Sequence, residues 1–337
     1  MLNPSVLVPL GVLIITFVVT YLLVRWWIKR AQAPNVNLVG KDMNKLGDKK
    51  VAEMGGLPVL VGFVFGLLVY LIYRTFIRND IDFNINIISS LATLVLIGLI
   101  GVADDLLGWK IGLKPWQKPI LCFLATLPIA VVNYNLSIVN VPLFGDINLG
   151  LFYPLLLVPF FVSCFSNGYN LFAGYNGLEA SMGVVILTTL GFVAWYNGLG
   201  KVSMMAFIMV AALIAFLFFN WCPAKVFPGD TLTLVVGAMI MILAVYGNMI
   251  KLAFFLFIPY FIDLALLFRA RSIKVEAFGK PKKDGSLDLP YKRCYDTTHI
   301  AILILKKIKK KAYEWEVVTL LILFEILLVL ISILVVL

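Results

Sequence analysis

The chain has 337 residues, of which 62% are hydrophobic and 14% are charged, and its formal net charge at pH 7 is +10. This composition lies outside the range of soluble globular domains and of disordered chains. Four cysteines without C-x-x-C spacing indicate neither a disulfide framework nor a zinc site, and the single histidine excludes a His-rich metal site.

Long apolar runs recur along the whole chain. A run of about 20 apolar residues is the length of a membrane-spanning helix. We therefore predict an all-α fold, a polytopic membrane protein that forms a single domain over residues 1–337. The first run is too long for a signal peptide, and no small-residue cleavage site follows it. The ten predicted helices lie near residues 6–27, 54–73, 87–103, 118–134, 151–166, 178–196, 203–219, 231–249, 252–268 and 317–337.

The basic residues are distributed unevenly between the two sides of these helices. With ten crossings, both termini lie on one side and five loops on the other, namely 28–53, 104–117, 167–177, 220–230 and 269–316. These five loops with their flanks hold 24 of the 28 lysines and arginines. The positive-inside rule therefore predicts that they form one cytoplasmic face, which we expect to carry the active site, and that both termini lie outside. The exceptions are Arg74, Arg78, Lys201 and Lys251.

Two connections show patterns of their own. The loop 269–316 contains turn residues that favour a short hairpin, and its end, 299–314, is typical of an amphipathic helix at the membrane surface. On the other side, V-N-V-P-L-F-G-D-I-N-L-G at 139–150 also predicts a hairpin, with G-D as its turn.

A pair of carboxylates, Asp104 and Asp105, directly follows the third apolar run. Adjacent carboxylates repel each other, so the pair favours a cation or a basic neighbour close by. Lys110 and Lys114 follow in the same loop. The alternative is a helix end that polar residues cap and that Trp109 and Trp116 anchor at the interface.

The loop after the fifth predicted helix contains no basic residue. It reads N-L-F-A-G-Y-N-G-L-E, from Asn170 through Asn176 to Glu179. Mg²⁺ takes oxygen ligands from carboxylates, amides and substrate phosphates, so it would suit this loop. The alternative is a tight turn formed by Gly174 and Gly177.

A third polar cluster, N-W-C-P-A-K-V-F-P-G-D-T, precedes the eighth predicted helix. Here Asp230 opens an apolar run and could serve as an N-cap. An N-cap does not require Lys225 and Phe227 just ahead of it, however, and these two residues suit a surface that binds phosphate and stacks on a base.

Four stretches of the chain, taken together, form a family pattern. They are G-K-D-M-N-K with E-M-G-G in the first loop, A-D-D-L-L-G-W-K-I-G-L-K, N-L-F-A-G-Y-N-G-L-E-A and N-W-C-P-A-K-V-F-P-G-D-T. In order and spacing they resemble the polyprenyl-phosphate N-acetylhexosamine-1-phosphate transferase superfamily. Within it, the resemblance is closest to the eukaryotic and archaeal UDP-N-acetylglucosamine:dolichyl-phosphate branch.

The resemblance implies a reaction and a cofactor. Enzymes of this superfamily transfer a sugar 1-phosphate from a UDP-sugar to a polyprenyl phosphate and release UMP. This is the first membrane step of glycan assembly, for protein N-glycosylation or for a cell-surface polymer. Mg²⁺ is required, and Mn²⁺ also suits such oxygen-rich sites. The expected partners are thus a UDP-sugar, a polyprenyl phosphate and the membrane, with no nucleic acid. A homodimer is left open, and the expected location is the plasma membrane.

The resemblance also assigns roles to individual residues. It implies Mg²⁺ ligands at Asn176 and Asp230, pyrophosphate contact by Lys114, and stacking of uracil on Phe227. Asp104 and Asp105 match the catalytic paired aspartates of the family. The remaining substrate-binding candidates are Asn44, Lys45, Glu53, Asn170 and Lys225.

Two departures from the family pattern concern the sugar and the paired aspartates. The eukaryotic branch contacts the N-acetyl sugar through Arg-His-Arg, whereas this chain has R-S-I-K-V-E-A-F-G-K, where Arg271 or Lys274 would substitute. N-acetylglucosamine is therefore the first expectation, with N-acetylgalactosamine and N-acetylmuramoyl-pentapeptide as alternatives. Gly108 also stands where the family has asparagine.

A multi-helix transporter is the alternative of a different class. Transporters commonly contain inverted repeats and acidic residues near the bilayer midplane. This chain shows no such repeat, and its acidic residues gather at one interface. The pattern therefore favours the enzyme.

Overall fold

The computed structural model describes residues 4–47, 50–133, 137–141, 145–270 and 275–335. Within these ranges the chain forms thirteen α-helices. They are α1 (Pro4–Ala31), α2 (Gly56–Ile72), α3 (Asn84–Ile111), α4 (Gln117–Ala125), α5 (Leu127–Val132), α6 (Val158–Leu171), α7 (Leu178–Tyr196), α8 (Gly200–Asn220), α9 (Gly229–Tyr246), α10 (Ile250–Leu256), α11 (Ile258–Ala270), α12 (Thr297–Lys309) and α13 (Glu314–Val335).

Seven of the helices in the described ranges are long and apolar enough to cross a membrane, and α10 with α11 gives an eighth span if the bent pair is counted as one. The prediction of a helical, multi-pass membrane protein is therefore confirmed, whereas ten crossings are not confirmed by length. Besides this bent pair, two predicted spans are interrupted: α4 and α5 are separate helices, and a π-helical segment, Tyr153–Leu157, precedes α6.

Proline explains two of the breaks. Pro128 lies in the first turn of α5, and Pro259 lies in the first turn of α11, directly after a bend of 55°. Proline lacks an N–H and its ring clashes with the carbonyl one turn earlier, so a helix breaks or kinks there.

Helix α9 forms the centre of the bundle, and all its side chains from Thr231 to Val245 are buried. It packs against α2, α3 and α6. Glycines permit this close packing, since a Cβ at Gly101 of α3 would lie 2.5 Å from the Cα of Thr231. The carboxyl end of α3 and the amino end of α9 are consequently held side by side.

The first loop pairs with itself and with the segment before α9. Strands β1 (Val39–Lys41) and β2 (Lys50–Ala52) form an antiparallel hairpin. Phe227 N donates to Ala52 O at 2.8 Å, and Gly55 N donates to Phe227 O at 2.8 Å. Backbone hydrogen bonds therefore join two stretches that are far apart in the sequence.

The two predicted hairpins and a helix near 299–314 are present, with two corrections, and the position of that helix at the membrane surface stays a prediction. β3 (Ile138–Val141) pairs with β4 (Gly145–Asn148), and β5 (Lys280–Pro281) pairs with β6 (Leu287–Asp288). The predicted G-D turn is wrong, because Gly145 and Asp146 lie in β4 opposite Val141 and Asn140. The helix predicted at 299–314 is α12, which ends earlier because Lys310 has φ +66°.

Candidate active site

The three polar clusters predicted from the sequence come together where α3, the α6–α7 loop and α9 meet. Asp104 and Asp105 lie on α3 itself rather than in a loop, since the helix continues to Ile111. Its helical geometry is interrupted at Gly108, which has φ +65° and ψ 176°. The chain therefore changes direction just after the paired aspartates.

Asp105 caps the amino end of α9. Its Oδ1 accepts from Asp230 N at 2.8 Å, and its Oδ2 accepts from Thr231 N at 3.2 Å and from Thr231 Oγ1 at 2.9 Å. A carboxylate at this position accepts from N–H groups that have no partner within the helix, and its negative charge interacts favourably with the positive end of the helix dipole. The neighbouring Gly229 has φ +70°, and a Cβ there would lie 2.6 Å from Asp105 Oδ2. The P-G-D motif therefore permits the capping contact, and the N-cap role considered for Asp230 is wrong because Asp230 lies inside the first turn.

Asp104 and Asp230 share one cation, Lys118. Lys118 Nζ lies 2.6 Å from Asp104 Oδ2 and also contacts Asp230 Oδ2. Asp104 Oδ1 accepts from Leu113 N at 2.6 Å. Two carboxylates from α3 and α9 thus converge on a single ammonium group from α4.

Lys118 was not among the predicted site residues. The expected basic neighbours were Lys110, whose side chain lies outside the described part of the structure, and Lys114. Lys114 is exposed, and its backbone N donates to Gln117 Oε1 at 2.7 Å. Within the described ranges Lys114 forms no ion pair with the carboxylates. Lys118 lies four residues beyond Lys114, and this nearness to the paired aspartates was the signal that could have identified it. It was passed over because residue 118 begins a predicted membrane helix, 118–134.

Two cavities adjoin Asp230. One has a volume of about 260 Å³ and lies towards the α6–α7 loop; the other has a volume of about 480 Å³ and lies towards α3 and Lys118. They share four lining residues, Glu53, Phe227, Gly229 and Asp230. Burial raises the pKa of the Glu53 carboxyl. Phe227 is half-buried at the boundary of the two cavities, where its ring is available to a planar ligand.

Asn170 belongs with Asp230. Its Nδ2 donates to Thr233 Oγ1 at 2.8 Å, and its side chain also approaches the Asp230 carboxylate. Both residues line the 260 Å³ cavity. The amide of Asn170 and the carboxylate of Asp230 therefore lie together at the wall of the same cavity.

Asn176 lines that cavity too, as does Asp42, the partner of its side chain. Its Nδ2 donates to Asp42 Oδ2 at 2.9 Å, and its backbone N donates to Glu314 Oε1 at 3.1 Å. Asn44 joins the same network by donating to Gly174 O at 3.2 Å and accepting from Gly279 N at 3.0 Å. The network ties the first loop to the α6–α7 loop and to α13.

Lys45 supplies a positive charge that pairs with the two carboxylates of this network. Its Nζ lies 2.9 Å from Asp42 Oδ2 and 3.5 Å from Glu314 Oε2. Burial lowers the pKa of Lys45, but the hydrogen bond to Asp42 and the charge of Glu314 outweigh it, so the pKa is raised. Burial and the Glu314 charge raise the pKa of the nearby Cys222 thiol to about 12, so this thiol is neutral.

The remaining candidates lie apart. Lys225 is exposed; its backbone bonds to Phe219 and Ala52, while its side chain lines neither cavity. Arg271 and Lys274 lie outside the described residues. In the described ranges no group of three or more His, Cys, Asp or Glu side chains has metal-binding geometry. A metal here would therefore need amide or substrate oxygens.

A third cavity, of about 510 Å³, begins beside Lys118 at Pro119 and has almost entirely apolar walls. Helices α4, α6 and α11 form it, with Phe123, Cys164 and Phe261 among its lining residues. An apolar groove thus begins next to Lys118 in the chain and lies at the exposed side of α4, α6 and α11.

Comparisons with known proteins agree with this geometry. Residues 87–248, which include the paired aspartates, the α6–α7 loop and Asp230, match the family model described as glycosyl transferase family 4. A protein of Saccharolobus solfataricus, provisionally named UDP-N-acetylglucosamine–dolichyl-phosphate N-acetylglucosaminephosphotransferase, is 31% identical over 92% of this chain and 91% of its own. A Sulfolobus acidocaldarius protein with the same provisional name is 30% identical over 88% of each chain. A phospho-N-acetylmuramoyl-pentapeptide-transferase of Clostridium perfringens is 32% identical over 70% of this chain and 76% of its own.

Proposed function

The chain belongs to glycosyl transferase family 4, and from this premise we propose that it transfers N-acetylglucosamine 1-phosphate from UDP-N-acetylglucosamine to a dolichyl-type polyprenyl phosphate. The family resemblance expected from the motifs is confirmed. The observation that carries the proposal is the position of the Asp104–Lys118–Asp230 cluster between a polar cavity and an apolar groove. A nucleotide sugar and a lipid phosphate require this combination.

We call the two cavities at Asp230, together with the apolar groove that begins at Pro119, the cleft. Its polar and apolar ends suit the two substrates. The 260 Å³ cavity presents Phe227 to a base and Glu53 to polar groups of the nucleoside. The groove that begins at Pro119 suits an isoprenoid chain, since its walls are apolar and it adjoins the lipid. The lipid phosphate then reaches Lys118 while its chain stays in the groove.

The reaction balances without an external base. A phosphate oxygen of the lipid bonds to the β-phosphorus of the UDP-sugar, the bond from that phosphorus to the bridging oxygen breaks, and UMP leaves with that oxygen. The second pKa of a phosphate monoester is about 6, so the nucleophile is already largely ionised at neutral pH. Positioning and neutralisation of charge are the tasks left to the protein.

Mg²⁺ fits the donor set beside Asp230, where it would supply positive charge to the phosphates. We propose Asp230 and Asn170 as its protein ligands, because both line the same cavity and approach each other. The role of Asn176 as a ligand stays a prediction; in this structure its amide is engaged with Asp42. Lys118 Nζ contacts both Asp104 and Asp230, so the carboxylates of α3 and α9 converge on a positive charge, which supports a site suited to cations.

A transfer assay tests the proposal. Purified protein is incubated with polyprenyl phosphate, Mg²⁺ and a radiolabelled UDP-sugar, and label is measured in the lipid phase. We expect label from UDP-N-acetylglucosamine, loss of transfer in EDTA, and recovery with Mg²⁺ or Mn²⁺. Transfer of N-acetylmuramoyl-pentapeptide or N-acetylgalactosamine instead would favour the alternatives, and transport of an intact UDP-sugar without UMP release would contradict the enzyme.

We retain ten crossings, a single domain, a homodimer and a plasma-membrane location as proposals, with both termini outside. The basic loops support this orientation. Lys283 lies exposed in the β5–β6 hairpin, so a Lys283→Cys variant, in a background without Cys164, should react with an impermeant thiol reagent only after the membrane is opened. Labelling in intact cells would place this face, and the site, outside.

Blocking the groove should affect one substrate only. Cys164 lies in an exposed position in the groove, so Cys164→Trp should fill part of it and raise the KM for polyprenyl phosphate about tenfold, with the KM for the UDP-sugar unchanged. Ile14→Trp, at a lipid-facing position of α1 that is 54% exposed, is the matched control. Equal KM values for the lipid in the two variants would rule out the groove.

A further inference from the structure

A separate cavity of about 880 Å³ lies at the opposite end of the bundle from the candidate active site. Helix α2 starts beside Phe227 at the active-site end and finishes at this cavity, which the turn between α7 and α8 also borders. Much of the wall is apolar, including Leu10, Phe83 and Phe207. A cavity of this size accommodates part of a lipid.

The charged residues of this cavity are unexpected for their side of the protein. Only four lysines and arginines lie outside the five predicted cytoplasmic loops and their flanks, and three of them, Arg74, Arg78 and Lys201, line this one cavity. Asp80 is the only carboxylate among its described lining residues. The cavity therefore carries an excess of two positive charges next to an apolar wall.

Arg74 is the scaffold of the site. It is 3% exposed and donates to Asn84 Oδ1 at 2.8 Å, to Asp82 O, and to Asp80 Oδ1 at 2.9 Å. The hydrogen bond from Arg74 lowers the pKa of Asp80, so this carboxylate stays ionised at neutral pH. Lys201 Nζ also binds Asp80 Oδ1, at 3.2 Å, and is thereby held at the cavity.

The backbone around Arg74 is irregular. Arg74 lies in a π-helical segment, Tyr73–Ile77, and two non-glycine residues, Asn79 and Phe83, have φ values of +50° and +67°. Such conformations cost of order 1–3 kcal/mol each and persist only where neighbouring contacts hold them. π-Helical turns frequently mark functional sites. The hydrogen bonds and ion pair of Arg74 therefore keep the backbone around the cavity in a defined conformation.

We propose that this cavity binds an anionic phospholipid, with its phosphate at Arg78 and Lys201 and an acyl chain against α1. The positive excess complements a phosphate, and Arg78 is exposed at the rim. Leu10 and Trp195 are 48% and 65% exposed on membrane helices, so the cavity is continuous with the lipid. A soluble phosphate would leave the apolar wall without a partner.

The test uses delipidated full-length protein in detergent, titrated with phosphatidylglycerol, phosphatidylcholine or inorganic phosphate while its thermal midpoint is followed. Wild-type protein should be stabilised by phosphatidylglycerol well beyond the other two. Arg78→Ala should weaken the apparent affinity about tenfold, the effect of one charge-assisted contact. Lys251→Ala, a basic residue on the same side that does not line the cavity, should not.

The basic loops also attract anionic lipid, but they are identical in both variants, so the difference between Arg78→Ala and Lys251→Ala isolates the cavity. Lys201→Met provides a second variant with the same expected loss. Equal stabilisation by phosphatidylcholine would reduce the site to an apolar one, and equal stabilisation by inorganic phosphate would make it a site for free anions. Identical titrations for Arg78→Ala and Lys251→Ala would overturn the proposal.

Discussion

Asp230→Asn is expected to lower the transfer rate by at least about a hundredfold while leaving the protein folded. Asp230 lines both cavities of the cleft and is the carboxylate nearest Asn170. Removing its charge takes away the stronger oxygen donor of the proposed Mg²⁺ site, and groups that stabilise transition-state charge contribute about 10²–10³-fold in rate. The measurement is initial rate at saturating UDP-sugar over a series of Mg²⁺ concentrations.

Two comparisons make this result specific. Asn keeps the shape of Asp, and the backbone N of residue 230 still donates to Asp105, so the thermal midpoint should change little. Asp288→Asn, in the ion-paired β5–β6 hairpin, removes a carboxylate outside the cleft and should retain nearly full activity. A fully active Asp230→Asn enzyme would remove Asp230 from the mechanism.

The paired aspartates have different structural tasks, which their adjacency in the sequence conceals. Both carboxylate oxygens of Asp105 accept hydrogen bonds from the amino end of α9, whereas Asp104 contacts Lys118 and faces the cleft. Neighbouring residues on a helix point about 100° apart, so one faces the next helix while the other faces the cavity. The sequence predicted the pair and its need for a cation, but the division of roles depends on where α9 packs.

The positions of two amide side chains show a further limit of prediction from the sequence. Asn170 and Asn176 bracket one short loop, and composition alone supports either as an oxygen ligand. The loop turns at Gly174 and Gly177, which have φ values of +126° and +86°. These turns direct Asn176 towards Asp42 and Glu314 and leave Asn170, on the last turn of α6, beside Asp230.

The long apolar helices and the polar clusters between them were predictable, because apolar length and local composition are read directly from the sequence. Contacts between distant stretches were not. Glu314 opens α13 and was absent from the predicted site, yet it accepts from Asn176 N and lies near Lys45. No local pattern marks a carboxylate whose partners, such as Asn176 and Lys45, lie on distant stretches of the chain.

Lys118→Met is expected to reduce transfer more than Lys114→Met, because Lys118 rather than Lys114 contacts both Asp104 and Asp230. Hydrogen bonds to charged groups contribute about 1.5–3 kcal/mol, which corresponds to roughly ten- to a hundredfold in rate. Lys114 is exposed and lies four residues earlier, so Lys114→Met is expected to lower the transfer rate about tenfold or less, even if Lys114 contacts pyrophosphate as predicted. Both variants are assayed at saturating substrates.

The dependence on Mg²⁺ separates a role for Lys118 in the reaction from a merely structural one. Without this ammonium, Asp104 and Asp230 keep two negative charges that face each other, and a cation should be attracted more strongly. Lys118→Met should therefore need less Mg²⁺ for half-maximal activity while its maximal rate falls, because the phosphates lose a fixed positive charge. A structural role would lower both the rate and the thermal midpoint with no gain in Mg²⁺ affinity. A greater loss from Lys114→Met would instead show that the exposed lysine moves into the cleft when substrate binds.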